Sequence, residues 1–146
     1  MRAVIQRVRR GSVEVDGNTI SSIQNGLIIL LGIGPMDTES TAVAMTKKIS
    51  LLRIFEDDQG KINLSVKDTG GQAIVVSQFT LYADTRKGNR PSFTDAAPPE
   101  LARRLVDRFA ILLNEQSIPT QTGEFGAHMV VSLENDGPVT IMLESE

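Results

Sequence analysis

Leu27-Ile28-Ile29-Leu30-Leu31 is the stretch that sets the architecture. An unbroken aliphatic run has no polar face to offer water. A strand built from it must be covered on both sides, at the centre of a sheet. The run is also far too short to span a bilayer. Asn25-Gly26 marks a turn before it, and Gly32, Gly34 and Pro35 close it. Upstream, residues 2–8 alternate as one strand and Ser12–Val15 read as a second. Asp16-Gly17 then makes a hairpin turn that returns the chain through Thr19–Ile23. Downstream, Thr38 is an N-cap with Thr41 at the capping-box position. Ala42, Met45, Ile49 and Leu52 recur at helical spacing, predicting a helix to about Arg53.

Arg53–Phe55 reads as extended. Asp57-Asp58-Gln59-Gly60 is a surface turn, because its acids lack the terminal bidentate glutamate of a calcium loop. Gly70-Gly71 precedes a second buried strand, Ala73–Ser77. The polar loop Asp84–Pro98 is long enough to be either functional or disordered. Pro98-Pro99-Glu100 opens a helix with proline near its first turn, and Leu101, Leu105, Phe109 and Leu112 give its buried stripe to about Gln116. Strands Thr120–Thr122 and Ala127–Leu133, a turn, and Val139–Leu143 complete the chain. Without linker or repeat, residues 1–146 read as a single α+β domain with a mixed, mostly antiparallel sheet and two main amphipathic helices.

Composition narrows the chemistry. With no cysteine there are no disulfides and no thiolate metal sites, and the chain suits a reducing compartment. Residues 1–10 lack the apolar core of a signal peptide, so a cytoplasmic location without membrane association is expected. A net charge of −3 argues against non-specific coating of nucleic acid. Local clusters (Arg2, Arg7, Arg9 and Arg10; Arg86, Lys87 and Arg90; Arg103, Arg104 and Arg108) are either solvated surface or a modest phosphate-contacting patch. His128, the sole imidazole, falls opposite Met129, Val131 and Leu133 in its strand, with no nucleophile nearby. It reads as a surface or structural residue rather than a general base, and no metal or cofactor is expected.

Two polar segments end apolar strands. Ser77-Gln78-Phe79-Thr80-Leu81 is either a strand that simply finishes in polar residues or a site whose backbone N–H groups form an oxyanion hole. Asn135-Asp136-Gly137-Pro138-Val139-Thr140 reads as a hairpin turn. Yet Pro138 would start a strand in which it cannot donate, and Gly137-Pro138 is a candidate cis bond whose rigid carbonyls could test the chirality of a ligand.

Together these segments resemble the D-aminoacyl-tRNA deacylases of bacteria and eukaryotes. Ile5-Gln6-Arg7-Val8, Arg53-Ile54-Phe55, Lys61-Ile62-Asn63-Leu64, Arg90-Pro91-Ser92-Phe93 and Thr120-Gln121-Thr122-Gly123 extend the resemblance over essentially the whole chain. It implies a D-aminoacyl-tRNA deacylase-like fold and a homodimeric hydrolase. That enzyme cuts the ester between a D-amino acid, or glycine, and the terminal ribose of tRNA. By resemblance, Ser77, Gln78, Phe79 and Thr80 hold the ester, and the N–H groups around Phe79 and Thr80 contact its carbonyl oxygen. Gly137-Pro138 reaches into the partner subunit's pocket to exclude L side chains. Arg7 and Met129 orient that motif, and Phe125 lies near the pocket. Two mechanisms are open: Thr80 as nucleophile, or water attack assisted by the 2′-hydroxyl of the tRNA. The second is preferred, because the sequence supplies no base to activate a threonine. A non-catalytic RNA-binding module and a general esterase using Thr80 or Ser77 are the competing readings.

Overall fold

Strand β3 (Gly26–Gly32) lies inside a mixed sheet, as its two apolar faces require. The computed structural model describes residues 1–145. Around β3, the long strand β1 (Arg2–Val15) pairs antiparallel with it from Arg2–Gly32 to Val8–Gly26, then with β2 (Asn18–Ile23) from Gly11–Ile23 to Val15–Asn18. On the other side of β3 run β6 (Gln72–Ser77) and β7 (Thr120–Thr122), both parallel. The opposite edge of β1 carries β8 (Val130–Glu144), again antiparallel. Helices α1 (Glu39–Ser50) and α2 (Pro99–Glu115) cover one face, and a small ribbon of β4 (Phe55–Glu56) and β5 (Ile62–Leu64) stands apart.

The alternation of β3 divides the interior in two. Leu27, Ile29 and Leu31 face the helices and meet Ala42, Met45 and Ile49 of α1 and Leu105, Phe109 and Leu113 of α2. Ile28 faces the other way, into a cluster with Val8, Val13, Ile23, Ile74 and Val76. That second cluster is enclosed because the sheet curls almost into a barrel. The Ser21 hydroxyl donates to Thr122 O, Ser22 N donates to the Gln121 side chain (3.0 Å), and Gln121 returns a bond to Ser22 O (2.7 Å). Each aliphatic side chain so buried contributes about 1.5–3 kcal/mol.

Several sequence expectations need correction. Residues 2–15 form one strand rather than two, because β8 pairs along its length and carries it through two register shifts between Gln6 and Arg10. Asn135–Pro138 is not a hairpin turn. Thr140 pairs with Gln6 and Asn135 with Val8, so both arms of β8 lie on the same strand, and residues 136–139 loop out opposite Arg7. Helix α1 stops at Ser50 with Leu51 as its C-cap, and Leu52 packs on the core from beyond the helix. The Asp84–Pro98 loop is organised by reciprocal backbone bonds between Asp84 and Ser92 (2.8 and 3.0 Å). Among the described residues no helix is long and apolar enough to cross a membrane.

Candidate active site

Ser77 is the last residue of β6, in register with Leu31, and Gln78 N extends the pairing by donating to Leu31 O (2.8 Å). The chain then tightens into a 3-10 turn, Phe79–Tyr82. Gly32 makes this close approach possible. A Cβ there would stand 3.0 Å from both Gln78 O and the Leu81 side chain. The turn begins without a side-chain cap, and its first bond comes from Leu81 N to Gln78 O (3.2 Å). The N–H groups of Phe79 and Thr80 therefore precede the turn's own bonding, as the leading donors of any helical turn do.

Beside this turn opens a cavity of about 640 Å³ lined by Ser77, Phe79, Phe93, Phe125 and Met129, and by Pro98 and Pro99 at the start of α2. Its lining is mostly apolar. Phe79 remains 54% exposed although aromatic, and meets Phe93 edge-on at 5.1 Å between centroids. Gln78 and Thr80 occupy the adjoining turn, where the Gln78 amide donates to the Thr80 hydroxyl. Among the described residues neither Ser77 nor Thr80 is hydrogen-bonded to a carboxylate, imidazole or amine, and no cluster of side chains suits a metal ion. His128 is exposed, but it lies ahead of β8, which begins at Val130 rather than at Ala127, so no strand register sets its orientation.

The far end of the turn is anchored by Arg2. Its guanidinium lies 4.5 Å over the Tyr82 ring, donates to Leu81 O (2.9 Å) and pairs with Glu144 (2.8 Å). Burial pushes the Tyr82 phenol up to about 12, with nearby Asp37 acting in the same direction and Arg2 partly opposing.

The second segment is held as firmly. Alternation along β1 puts Arg7 on the inward face with Ala3 and Ile5, and it is only 5% exposed. Its Nε donates to Asp136 O and its Nη1 to Ile54 O, both at 2.7 Å. Asn135 braces the loop from within, accepting from Val139 N (2.7 Å) and donating to Val139 O (3.1 Å). Gly137 has φ +143° and the Gly137–Pro138 peptide is cis. Both residues are exposed.

The two segments do not meet within one chain. Arg7 is in register with Leu27, whereas Ser77 is in register with Leu31, and β1 and β3 intervene between β8 and β6. At about 3.3 Å per residue and about 4.8 Å per strand, the loop lies about 20 Å from Ser77. The residues singled out from the sequence thus fall into two groups: Ser77, Phe79, Phe125 and Met129 at the cavity with Gln78 and Thr80 beside it, and Arg7 with Gly137 and Pro138 at the loop. Met129 is at the cavity, just before β8 begins, whereas Gly137 of its own chain lies near the middle of that strand. Sequence reasoning missed Phe93 as a cavity wall and Asn135 as the brace. An aromatic inside an otherwise polar loop was the available signal for the first.

The fold is that of aminoacyl-tRNA deacylases. A solved structure described as a probable eukaryotic D-amino acid tRNA deacylase superposes with a TM-score of 0.82 over 97% of each chain, at 17% identity. A second, described as c-Myc DNA Unwinding Element Binding Protein, gives 0.94 at 46% identity over 100% of this chain and 99% of that one. The D-aminoacyl-tRNA deacylase of Roseiflexus castenholzii is 59% identical over 99% of this chain and 92% of its own. That of Thermosipho africanus is 51% identical over 100% and 98%. Residues 4–144 match the family model of D-Tyr-tRNA(Tyr) deacylase, and the chain belongs to that family. It is an enzyme, a carboxylic ester hydrolase with D-aminoacyl-tRNA deacylase activity.

Proposed function

We propose that catalysis and chiral selection are divided between two copies of this chain. One copy supplies the cavity and the Ser77–Thr80 strand end. The other supplies Gly137–Pro138, which enters that cavity and crowds out an L side chain, so that D-aminoacyl and glycyl esters are cleaved and L-aminoacyl esters are spared. The observation that carries this reading is the separation of an exposed, rigidly braced loop from an open apolar cavity in the same chain. Selection by exclusion needs a fixed obstacle, and a carbonyl-rich loop locked by Arg7 and Asn135 is one.

Ester cleavage on this reading uses the leading N–H groups of Phe79 and Thr80 to hold the developing oxyanion. Water attacks the carbonyl carbon with help from the adjacent ribose 2′-hydroxyl, and the tRNA 3′-oxygen leaves with a proton. Among the described residues no base is bonded to either hydroxyl, which favours this route over a Thr80 nucleophile. It also weighs against a general esterase.

The same division calls for a homodimer; in this reading it acts on tRNA in the cytoplasm, as one domain spanning 1–146. The test is release of amino acid from D-, glycyl- and L-aminoacyl-tRNA, with sedimentation of the enzyme at assay concentration. Cleavage of the first two by a dimer, with the third spared, is the expected outcome. An active monomer that spares L-aminoacyl-tRNA would overturn the two-chain site.

A further inference from the structure

Most arginines of this chain are already spoken for. Arg2 pairs with Glu144, Arg7 and Arg9 with Asp136, Arg10 with Glu134, Arg86 with Asp84, and Arg108 with both Glu39 and Glu115. A cation held by a carboxylate is poorly placed to neutralise a phosphate as well. Among the described residues, Arg103 and Arg104 have no carboxylate within salt-bridge distance, and both are exposed.

Their position is specific. They line a groove of about 560 Å³ along the first turns of α2, and that groove shares Pro98 with the wall of the cavity beside Ser77. The Arg103 guanidinium also lies 4.9 Å over the ring of Phe125, another cavity wall. The groove therefore starts where the cavity ends. Glu100 and Asp107 line it too, so it is not a uniformly positive surface. Two free guanidinium groups at the cavity mouth instead suit discrete phosphodiesters.

We propose that Arg103 and Arg104 bind the backbone phosphates of the nucleotides just before the ester-bearing end of the RNA. This assignment rests on the cavity as the cleavage site. An ester seated beside Ser77 must trail its polynucleotide out of the cavity mouth, and Pro98 is where the mouth meets the groove. The contacts carry no sequence information, as fits an enzyme that must accept many tRNAs. They set substrate affinity and its salt dependence, and leave the chemical step alone.

The experiment measures kcat and KM for D-aminoacyl-tRNA across a range of KCl, and cleavage of a D-aminoacyl-adenosine that has no phosphate. It compares the wild type with Arg103→Ala/Arg104→Ala, Arg103→Lys/Arg104→Lys and a control, Lys47→Ala/Lys48→Ala, which removes two exposed charges at the last turn of α1. At about 0.7 per phosphate on a single strand, the alanine pair should lower the slope of log(kcat/KM) against log[KCl] by about 1.4. KM should rise about tenfold at low salt, with kcat unchanged. The lysine pair should recover the slope although it loses the planar stack on Phe125, and the control should match the wild type. All variants should cleave the adenosine ester equally. An unchanged slope in the alanine pair overturns the phosphate assignment. So does an equal loss on the adenosine ester, which would mean that Arg103 only shapes the cavity. Failure of the wild type itself to cleave the adenosine ester would count instead against the cavity as a self-sufficient cleavage site.

Discussion

Replacing Arg7 by alanine should cost the enzyme both stability and chiral discrimination. The side chain is 5% exposed and donates to two carbonyls, Asp136 O and Ile54 O, each at 2.7 Å. Truncation leaves both acceptors without their charged donor, at about 1–3 kcal/mol each. The vacated volume adds a packing loss of similar sign, partly offset if water enters. A net loss of about 3 kcal/mol is the working figure, and at about 2–4 °C per kcal/mol for a chain of this size Tm should fall by about 10 °C. Arg7→Lys should recover only part of it, since an ammonium cannot span two divergent carbonyls as a guanidinium fork does. The functional consequence follows from the same bonds. With Asp136 O released, the loop can yield to an L side chain, so hydrolysis of L-aminoacyl-tRNA should rise at least tenfold while D-aminoacyl cleavage changes little, or about 1.4 kcal/mol lost from discrimination. Thermal unfolding by circular dichroism and parallel deacylation of the two enantiomeric substrates measure both effects. A variant that unfolds about 10 °C lower yet still spares L-aminoacyl-tRNA at 20 °C would refute the link between the Arg7 anchor and selectivity.

Thr80→Val should retain single-turnover deacylation to within about tenfold, because among the described residues its hydroxyl is bonded only to the Gln78 amide; a loss beyond about a thousandfold with intact binding would identify it as a nucleophile. Gly137→Ala should destabilise the loop by about 1–3 kcal/mol, since φ is +143° and a Cβ would stand 3.0 Å from Val139 N; an unaltered Tm would contradict this. Tyr82 is the only tyrosine in a chain without tryptophan, so phenolate absorbance reports it alone, and its midpoint should lie near 12. The unfolded phenol ionises first, near 10, so its folded-state excess of protons makes stability fall as pH rises through that window. Tyr82→Phe should remove this contribution, and a folded-state midpoint near 10 would show that the ring is not desolvated.

How far the sequence revealed this molecule depended on the range of the signal. Leu27–Leu31 declared a central strand because periodicity is local, and Thr120–Thr122 and the Pro99 helix start were legible for the same reason. The misreadings came from long-range pairing. Nothing near Asp136-Gly137-Pro138 reveals that the strands before and after it share one partner, and its local turn chemistry is that of a hairpin. Arg7 carried a visible clue, a charge at an inward register position between Ile5 and a later apolar cluster. Its partners, Ile54 O and Asp136 O, are brought to it only by tertiary structure. The polar strand end at Ser77 was visible as punctuation, yet the cavity beside it depends on Phe93, Pro98 and Phe125, which are distant in sequence.

The proposed division of the site between two chains can be tested directly because the chain has no cysteine. Thr94→Cys places a single thiol at the cavity and Val139→Cys places one at the loop, each in a separate preparation. The two preparations are mixed, allowed to exchange subunits and treated with a short bis-maleimide. A covalent heterodimer joining position 94 to position 139 is the expected result, formed in competition with D-aminoacyl-tRNA. No covalent heterodimer from the mixed preparations, with the same reagent modifying both thiols, would contradict it.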